Sequence, residues 1–382
     1  MLTLYKFELR KIISRKIVWI TGGVLLVGLV IWGIASAVLP QNREYSDSSL
    51  NGYAANRAEQ EAAEQISGRA IDQERIDEMR PAYEDFIFNG NYKEALPYLD
   101  VYNFIGRTLG TQAGAEILVC DSEAFYEKLN AQLEANTPAG LTESISFDEP
   151  IVYHGYFDGW RQIADMMKLI TCMEIMFIAI CLSTVFTVEH TRKTDQVILC
   201  TRLGKKKLYA AKTLAGLTVG VGFTLLLSLL MFGIIAFLYG FDGYDTILQF
   251  VLLRPFNLTV GQAALILVGL SFAGAALISI FTMMLSEVTK NSIATIGIIT
   301  GVLLVTMFIM EMPANLKLLS EIWYLLPSNL VSLNGAFRYS MFHVGGSPLA
   351  AYQYAPIVYL VLAVIFALIG KLTYNRYQIN GR

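Results

Sequence analysis

The stretch 213–239, TLAGLTVGVGFTLLLSLLMFGIIAFLY, decides the fold class of this chain. It runs for 27 residues without a charged side chain. About 20 mainly apolar residues are enough for an α-helix to cross roughly 30 Å of hydrocarbon. A surface helix of a water-soluble protein carries an apolar stripe on one face, whereas this stretch is apolar on all faces. It therefore predicts a transmembrane helix.

Five further apolar blocks reach or approach the same length, and they are 17–39, 169–188, 260–285, 292–312 and 357–374. Lys371 interrupts the last block, but a lysine near a helix end can extend its amine to the membrane surface. The composition agrees, because 54% of the 382 residues are hydrophobic and 16% are charged, against about 25% charged in a typical soluble domain. The sequence predicts an all-α membrane protein with six transmembrane helices.

The charges are divided unevenly along the chain. Residues 41–165 hold 23 of the 32 acidic residues but 9 of the 29 lysines and arginines, a net charge of −14, and the remainder carries +11. No apolar block of spanning length lies in this segment, so we expect 40–168 to form a polar domain outside the membrane between the first two spans.

That domain is expected to be mainly helical. Residues 54–79 are rich in good helix formers, and Pro81 predicts the end of that helix. A second helix is predicted after a cap at Asp121 or Ser122, with Phe125, Leu129 and Leu133 spaced four residues apart. The segment after Trp160 continues without a helix breaker, so one helix is expected to join the domain to the second span.

Lysine and arginine near the span ends predict the orientation of the chain. Residues 1–16 hold five of them and 189–212 hold seven, whereas 240–259 holds one and 313–356 holds two. Cytoplasmic loops carry the excess of basic residues. We therefore expect a multi-pass protein of the cell membrane with both termini in the cytoplasm.

The first span could also be read as a cleaved signal peptide, because Ala35-Ser36-Ala37 has the small residues of a cleavage site. Its apolar stretch has 23 residues, whereas the apolar region of a signal peptide has about 7–15. An uncleaved membrane anchor is the preferred interpretation.

Residues 1–16 predict an amphipathic helix at the inner membrane surface. Its apolar face is formed by Leu2, Tyr5, Leu9 and Ile12, and its basic face includes Lys6 and Arg10. Such a helix is expected to contact membrane lipid with its apolar face and anionic headgroups with its basic face. A cytoplasmic cap on the first span is the alternative.

Two outer segments, 247–253 and 322–331, are too short to cross the membrane but too apolar for solvated loops. Irregular backbone at membrane depth is tolerated where it is buried in protein or lines a cavity. The segment 313–356 is therefore expected to contain an interfacial or re-entrant element.

Pro327 and Asn329 of this segment, together with Glu174 inside the second span, are candidates for a translocation path or gate. The alternative for Glu174 is a carboxylate near the span end that reaches water.

We find no motif for catalysis, metal binding or nucleic-acid binding. Gly204-Lys205 and Gly370-Lys371 lack the other residues of a nucleotide-binding loop. The three histidines do not have the spacing of metal ligands. We predict no catalytic residue, no metal site, no cofactor bound by this chain and no nucleic-acid partner.

The segment 189–212, EHTRKTDQVILCTRLGKKKLYAAK, is longer than a turn between two helices requires. A solvated basic loop would explain its charge but not its apolar residues 197–199. A short helix that lies across the inner face of the bundle, or against a partner, explains both.

This segment resembles the ABC-2 type permeases, the membrane subunits of one class of ABC exporters. The residues that carry the resemblance are Glu189, Thr194, Ile198 and Leu199, and the stretch 201–212. Arg202 stands where the family usually has proline. Residues 5–11 resemble the connecting helix of the family, 326–329 resemble its outer segment before the last span, and the domain between the first two spans resembles the subgroup with a large extracellular domain.

The resemblance implies partners and roles. A separate ABC ATPase, which binds ATP and Mg, would dock beneath 189–212, and a second permease copy would pair with this one as a homodimer or a related heterodimer. The implied ATPase-coupling residues are Glu189, Arg192, Lys193, Ile198, Leu199, Arg202 and Lys205. The chain itself would not be an enzyme.

Other functional classes remain as alternatives. One is a membrane-embedded ligand-binding or immunity protein, or a membrane enzyme, without ATP-coupled transport. Another is a secondary transporter, for which an inverted repeat would be expected, and the sequence shows none.

The predicted orientation can be tested by cysteine labelling from outside intact cells, in a variant whose four native cysteines are replaced. An impermeant thiol reagent should modify a cysteine introduced at Ser48 but should leave one introduced at Asn380 unmodified until the cells are opened. Labelling of both positions from outside would contradict the shared cytoplasmic side of the termini.

Overall fold

A computed structural model describes residues 2–39, 52–110, 120–137, 145–191, 207–309, 312, 316–338, 342–344 and 347–376. Within them the regular secondary structure is helical apart from one short hairpin and isolated bridges. The helices of the N-terminal half are α1 (Leu2–Ile13), α2 (Lys16–Val38), α3 (Gly52–Glu64), α4 (Gln73–Asn89), α5 (Leu99–Leu109), α6 (Ser122–Ala135), α7 (Asp158–Leu182) and α8 (Thr184–Thr191).

The helices of the C-terminal half are α9 (Lys207–Leu238), α10 (Val260–Thr289), α11 (Ser292–Phe308), α12 (Lys317–Tyr324), α13 (Pro327–Leu330), α14 (Leu333–Ala336) and α15 (Ala351–Arg376). The hairpin pairs β1 (Phe342–Val344) with β2 (Ser347–Leu349) in antiparallel register, with Phe342 opposite Leu349. Short 3-10 turns lie at Leu96–Tyr98 and Leu248–Phe250.

Five helical stretches in the described residues are long and apolar enough to cross a membrane, and they are Lys16–Val38, Asp158–Glu189, Lys207–Leu238, Val260–Thr289 and Ala351–Asn375. The predicted span 292–312 forms a shorter apolar helix, α11, which ends at Phe308. The structure therefore supports a multi-pass, all-helical membrane protein, and the count of six spans stays a prediction.

The bundle is built around α7 and α10. In the most apolar stretch of Asp158–Glu189, 72% of the residues are buried, against 17% in both Lys16–Val38 and Ala351–Asn375. Helix α7 contacts α2, α9, α10 and α11, and α10 also contacts α15 along much of its length. Helices α2 and α15 consequently lie at the periphery and expose apolar side chains, as expected for helices that face lipid.

Helix α7 begins at Asp158, whereas the predicted second span begins at residue 169. The structure thus confirms the continuous helix predicted at Trp160 between the outer segment and the bundle. The helix ends at Leu182, and Ser183 separates it from α8. Because α7 is uninterrupted, the segment outside the bundle is joined to the bundle core by a rigid element.

The segment between α2 and α7 contains the predicted helix after residue 121. Helix α6 starts at Ser122, and its cap Asp121 accepts a hydrogen bond from the Ala124 backbone N–H at 2.7 Å. Phe125, Leu129 and Leu133 are fully buried. Their four-residue spacing places them on one face of the helix, which explains why this helix could be predicted from the sequence.

The predicted helix end at Pro81 is wrong, because α4 continues through Pro81 to Asn89. The break lies earlier, between α3 and α4, where Gly68 has a φ of +78° and Ala70 forms a β-bridge with Val152. Proline removes one helical hydrogen bond. Pro81 lies on the exposed side of α4, where water can satisfy the carbonyl that loses its partner.

The segment between α2 and α7, called the outer segment for its position outside the bundle, rests on the turn Leu248–Phe250, which lies between α9 and α10. Its Phe250 ring stacks on Phe104 of α5 with centroids 4.3 Å apart, and it lies 5.7 Å from both Tyr153 and Phe157. Arg107 donates to the Phe250 carbonyl oxygen at 2.8 Å. Within the apolar segment 247–253, the turn Leu248–Phe250 is therefore buried between the outer segment and the bundle, and the other residues are half-buried.

Replacement of Phe250 by alanine should loosen this attachment. Removing a buried aromatic ring of this kind costs about 3–5 kcal/mol, so Phe250→Ala should lower the unfolding temperature of the purified protein in detergent. Phe88→Ala is the matched control, because Phe88 is 74% exposed, and its unfolding temperature should stay near that of the parent. Equal effects of the two substitutions would contradict the docking role of Phe250.

Candidate functional site

The two ends of the segment 189–212 are joined by a buried ion pair. The Lys212 ammonium contacts Glu189 Oε2, with the Lys212 side chain 0% exposed and that of Glu189 7% exposed. Lys11 of α1 donates to Glu189 Oε1 at 2.7 Å. The Lys11 ammonium also lies 3.8 Å from Glu8 Oε2. We call these four residues the inner charge cluster.

The packing of three helices explains why these charges meet. Helix α1 lies along α9, where Tyr5 Oη and Thr218 Oγ1 are 3.1 Å apart and Ile12 is buried. Helix α8 brings Glu189 to the same point, and Phe186 places its ring centroid 5.0 Å from the Lys212 ammonium. A buried ammonium is stabilised there by one carboxylate contact and by the π face of an aromatic ring.

Of the seven predicted coupling residues, the structure describes one, Glu189. Glu189 lies inside the protein, in the inner charge cluster. The remaining six fall outside the described residues, and they are Arg192, Lys193, Ile198, Leu199, Arg202 and Lys205. Lys212 was not among the predicted site residues. Its position at the start of an otherwise uncharged apolar stretch is the signal that could have identified it.

Helix α1 places its predicted faces in two environments. Ile12 is buried and Tyr5 and Leu9 are half-buried, whereas Leu2 is exposed. Lys6 and Arg10 are exposed, as the amphipathic pattern predicts. Contact with lipid stays a prediction for this helix, because part of its apolar face packs on α9.

Glu174 lies in the interior of the bundle. Its side chain is fully buried, and its Oε2 accepts hydrogen bonds from Thr224 of α9 and Ser271 of α10, both at 2.9 Å. Its Oε1 receives no hydrogen bond from the described residues. The interpretation that Glu174 reaches water is therefore wrong, because the packing of α7 on α9 and α10 covers it.

The short helix α13 is inserted beside this carboxylate. A Cβ atom on Gly274 would lie 3.0 Å from Pro327 Cβ and 3.9 Å from Glu174 Oε1, so Gly274 separates the two predicted path residues. Asn329 donates to the Trp323 carbonyl oxygen at 3.0 Å and thereby holds the turn between α12 and α13. Its side chain serves that turn and forms no hydrogen bond with Glu174 in the described part of the chain.

A cavity of about 460 Å³ lies where the helices between α2 and α7 meet the C-terminal ends of α2 and α9 and the N-terminal end of α7. Glu59, Asp100, Asp158 and Arg161 contribute its charged lining. Asp100 accepts a hydrogen bond from the Tyr153 hydroxyl at 2.7 Å. Burial, followed by the nearby charge of Asp158, raises the pKa of Asp100 to about 7.

The described residues contain no group of three or more His, Cys, Asp or Glu that could hold a metal ion.

The inner charge cluster can be tested with a double-mutant cycle. Glu189→Gln should lower the free energy of unfolding by about 3–5 kcal/mol, because it leaves Lys212 buried with its main counter-ion removed. Glu189→Gln combined with Lys212→Gln should cost less than the sum of the two single changes. Lys11→Gln serves as a control and should cost at most about 1 kcal/mol, since Lys11 is 31% exposed. Additive losses, measured by unfolding of the purified protein in detergent, would contradict the coupling.

No curated protein and no solved structure shows significant similarity to this chain. A family model described as ABC-2 family transporter protein matches residues 2–368, which is nearly the whole chain. This family consists of membrane subunits of transporters rather than nucleotide-binding enzymes, and it implies an ABC ATPase partner and dimeric assembly. The chain belongs to the ABC-2 family of transporter proteins.

Proposed function

We propose that this chain is the permease subunit of an ATP-driven ABC-2 exporter, which moves its substrate outward at the interface of two permease copies. A separate ATPase, with its ATP and Mg, supplies the energy. The observation that carries the proposal is the inner charge cluster, which ties both ends of the segment 189–212 to α1. Family membership supports the transport role and the ATPase partner.

The inner charge cluster makes the base of the coupling segment rigid. A flexible loop would absorb a displacement by the ATPase, whereas a segment whose ends are ion-paired inside the protein passes it to α8 and α9. Helix α8 is tied in turn to α10, because the Ser286 hydroxyl donates to the Ser183 carbonyl oxygen at 2.6 Å. Glu189 is accordingly proposed as a positioning residue for the coupling segment and not as a surface contact of the ATPase.

Helix α9 connects this cluster with the interior carboxylate. Lys212 and Thr224 lie on the same helix, about 18 Å apart at 1.5 Å rise per residue. Thr224 donates to Glu174, and Glu174 lies next to Gly274 and Pro327. Displacement of α9 would therefore disturb the packing of α13, which we propose as an outer gate of the path.

The topology is part of the same proposal. The termini and the segment 189–212 lie in the cytoplasm of a cell-membrane protein, and the segment between α2 and α7 forms an extracytoplasmic domain. Helix α11 is about 25 Å long at 1.5 Å rise per residue, and we propose it as the remaining span. These assignments rest on the distribution of basic residues and on the resemblance to the subgroup with a large outer domain.

A second candidate is a membrane-embedded protein that binds a ligand without ATP-coupled transport, which the cavity of about 460 Å³ beside the outer helices favours. The absence of an ATPase in the complex purified from native membranes would support this candidate over the exporter.

Replacement of both Ile198 and Leu199 by aspartate should uncouple the permease from its ATPase. These are the apolar residues proposed to contact the partner, and burial of such a side chain contributes roughly 1.5–3 kcal/mol. We expect loss of ATPase activity from the complex purified through a tag on the permease, while the permease still inserts into the membrane.

The matched control adds the same two charges at polar positions of the same segment, as Thr194→Asp with Gln196→Asp. This variant should retain most of the ATPase activity that purifies with the permease. If the Ile198 and Leu199 double variant retained full activity as well, the segment would be a solvated loop and not a coupling element.

A further inference from the structure

Arg161 lines a second cavity, of about 360 Å³, in addition to the cavity of about 460 Å³ described above. Its charged lining consists of Arg107 from α5, Arg161 and Lys168 from α7, and Asp165. Three cations and one carboxylate thus surround one space, in a region of the chain that is otherwise strongly acidic. We call it the basic cavity.

Among the described residues, Arg107 is held in place by backbone carbonyl groups and not by an ion pair. It donates to the carbonyl oxygens of Phe250 and Val251, at 2.8 and 2.7 Å. Among the described residues no carboxylate lies within ion-pair distance of its guanidinium. Desolvation by the surrounding protein, followed by the charge of Arg161, lowers the pKa of Arg107. Its carbonyl contacts fix the side chain, and the Asp100 carboxylate acts on its charge from beyond ion-pair distance.

Lys168 has neither a hydrogen bond nor an ion pair with any residue that the structure describes. It directly precedes Leu169, the first residue of the apolar block 169–188, whose side chain is 39% exposed. Lys168 therefore lies where α7 passes from polar surroundings into apolar ones. This is the level at which lipid headgroups lie in a membrane.

Arg161 is the cation of the basic cavity that has carboxylate neighbours. Its guanidinium lies 3.2 Å from Asp158 Oδ1 and 3.9 Å from Asp165 Oδ2. Asp165 is the carboxylate in the lining of this cavity. Arg161 lies near it, whereas Arg107 and Lys168 form no ion pair with it. The cavity consequently has an excess of positive charge that an anion would neutralise.

We propose that the basic cavity binds the phosphate of a phospholipid headgroup, from the leaflet next to the outer helices. Arg107 supplies a fixed guanidinium with free N–H donors, and Lys168 supplies an ammonium at headgroup level. The phosphate carries the negative charge that neither cation has within ion-pair distance among the described residues, and its oxygens would accept from Lys168 and from the N–H groups of Arg107 that face the cavity. The acyl chains of the lipid would lie along the exposed apolar surface that begins at Leu169. This site is independent of the proposed export function.

The test uses the purified full chain in a neutral detergent and native mass spectrometry. The chain is titrated with a short-chain phosphatidylglycerol and, separately, with a diacylglycerol that has the same acyl chains. Phosphatidylglycerol should remain bound and diacylglycerol should not. Lys168→Gln should weaken phosphatidylglycerol binding about tenfold, since it removes one charge-assisted contact. The double variant with Arg107→Gln should weaken it further.

Two control variants carry the same change of charge elsewhere. Lys93→Gln lies at an exposed position of the outer segment, and Lys371→Gln at an exposed position near the end of α15. Both should bind phosphatidylglycerol like the parent. Unfolding temperatures are measured for every variant, because Arg107 also holds the turn at Phe250. Lys168→Gln is the decisive variant, since Lys168 makes no described protein contact that folding would require.

Four outcomes decide the proposal. Equal binding of diacylglycerol and phosphatidylglycerol, or unchanged affinity of the folded Lys168→Gln variant, would overturn it. Displacement of phosphatidylglycerol by millimolar inorganic phosphate, with inorganic phosphate itself retained, would identify a free phosphate ion as the ligand and overturn the lipid assignment. Phosphatidylglycerol binding that depends on Lys168 and resists inorganic phosphate would support the lipid site.

Discussion

A lysine that is fully buried at the end of a membrane bundle needs a counter-ion, and this need determines how that end of the bundle is built. Lys212 is fully buried, and Glu189 and Phe186 provide the carboxylate and the aromatic face beside it. Lys11 brings α1 to the same carboxylate. Desolvation of an ion is costly unless its partner is held in place, so α1, α8 and α9 form one unit.

Helix α7 makes polar contacts with α9, which belongs to this unit, and with α10. It begins outside the bundle with Asp158, paired to Arg161, and it carries Glu174 among hydroxyl groups of α9 and α10. Because its hydrogen-bonding groups are satisfied within the helix, it can pass through the apolar interior without a break. The same helix thus lines the outer cavities and holds the interior carboxylate.

The two cavities at the boundary between the outer segment and the bundle differ in the balance of their charges. Glu59, Asp100 and Asp158 line one of them, Arg107, Lys168 and Asp165 line the other, and Arg161 lines both. The Phe250 ring, packed between the outer helices and the bundle, fixes the position of Arg107 through the adjacent carbonyl groups. The aromatic packing that attaches the outer segment therefore also sets the electrostatics of the surface next to the membrane.

The sequence by itself determined the features that depend on neighbours along the chain. Long apolar runs specify membrane helices because every backbone group must be satisfied within the segment, and the cap at Asp121 with its buried face specifies α6 in the same local way. The resemblance in 189–212 identified the family. The count of six spans and the roles of the six coupling residues from Arg192 to Lys205 stay predictions.

Only the tertiary structure decided which charges are buried together. Lys11 and Glu189 are 178 residues apart in the chain, and Thr224 and Ser271 meet Glu174 from helices 50 and 97 residues away. The continuation of α4 through Pro81 and the two cavities beside Arg161 also depend on surroundings that no local pattern specifies. The physical reason is that burial and counter-ions are set by the packing of distant helices, whereas helix formation is set by adjacent residues.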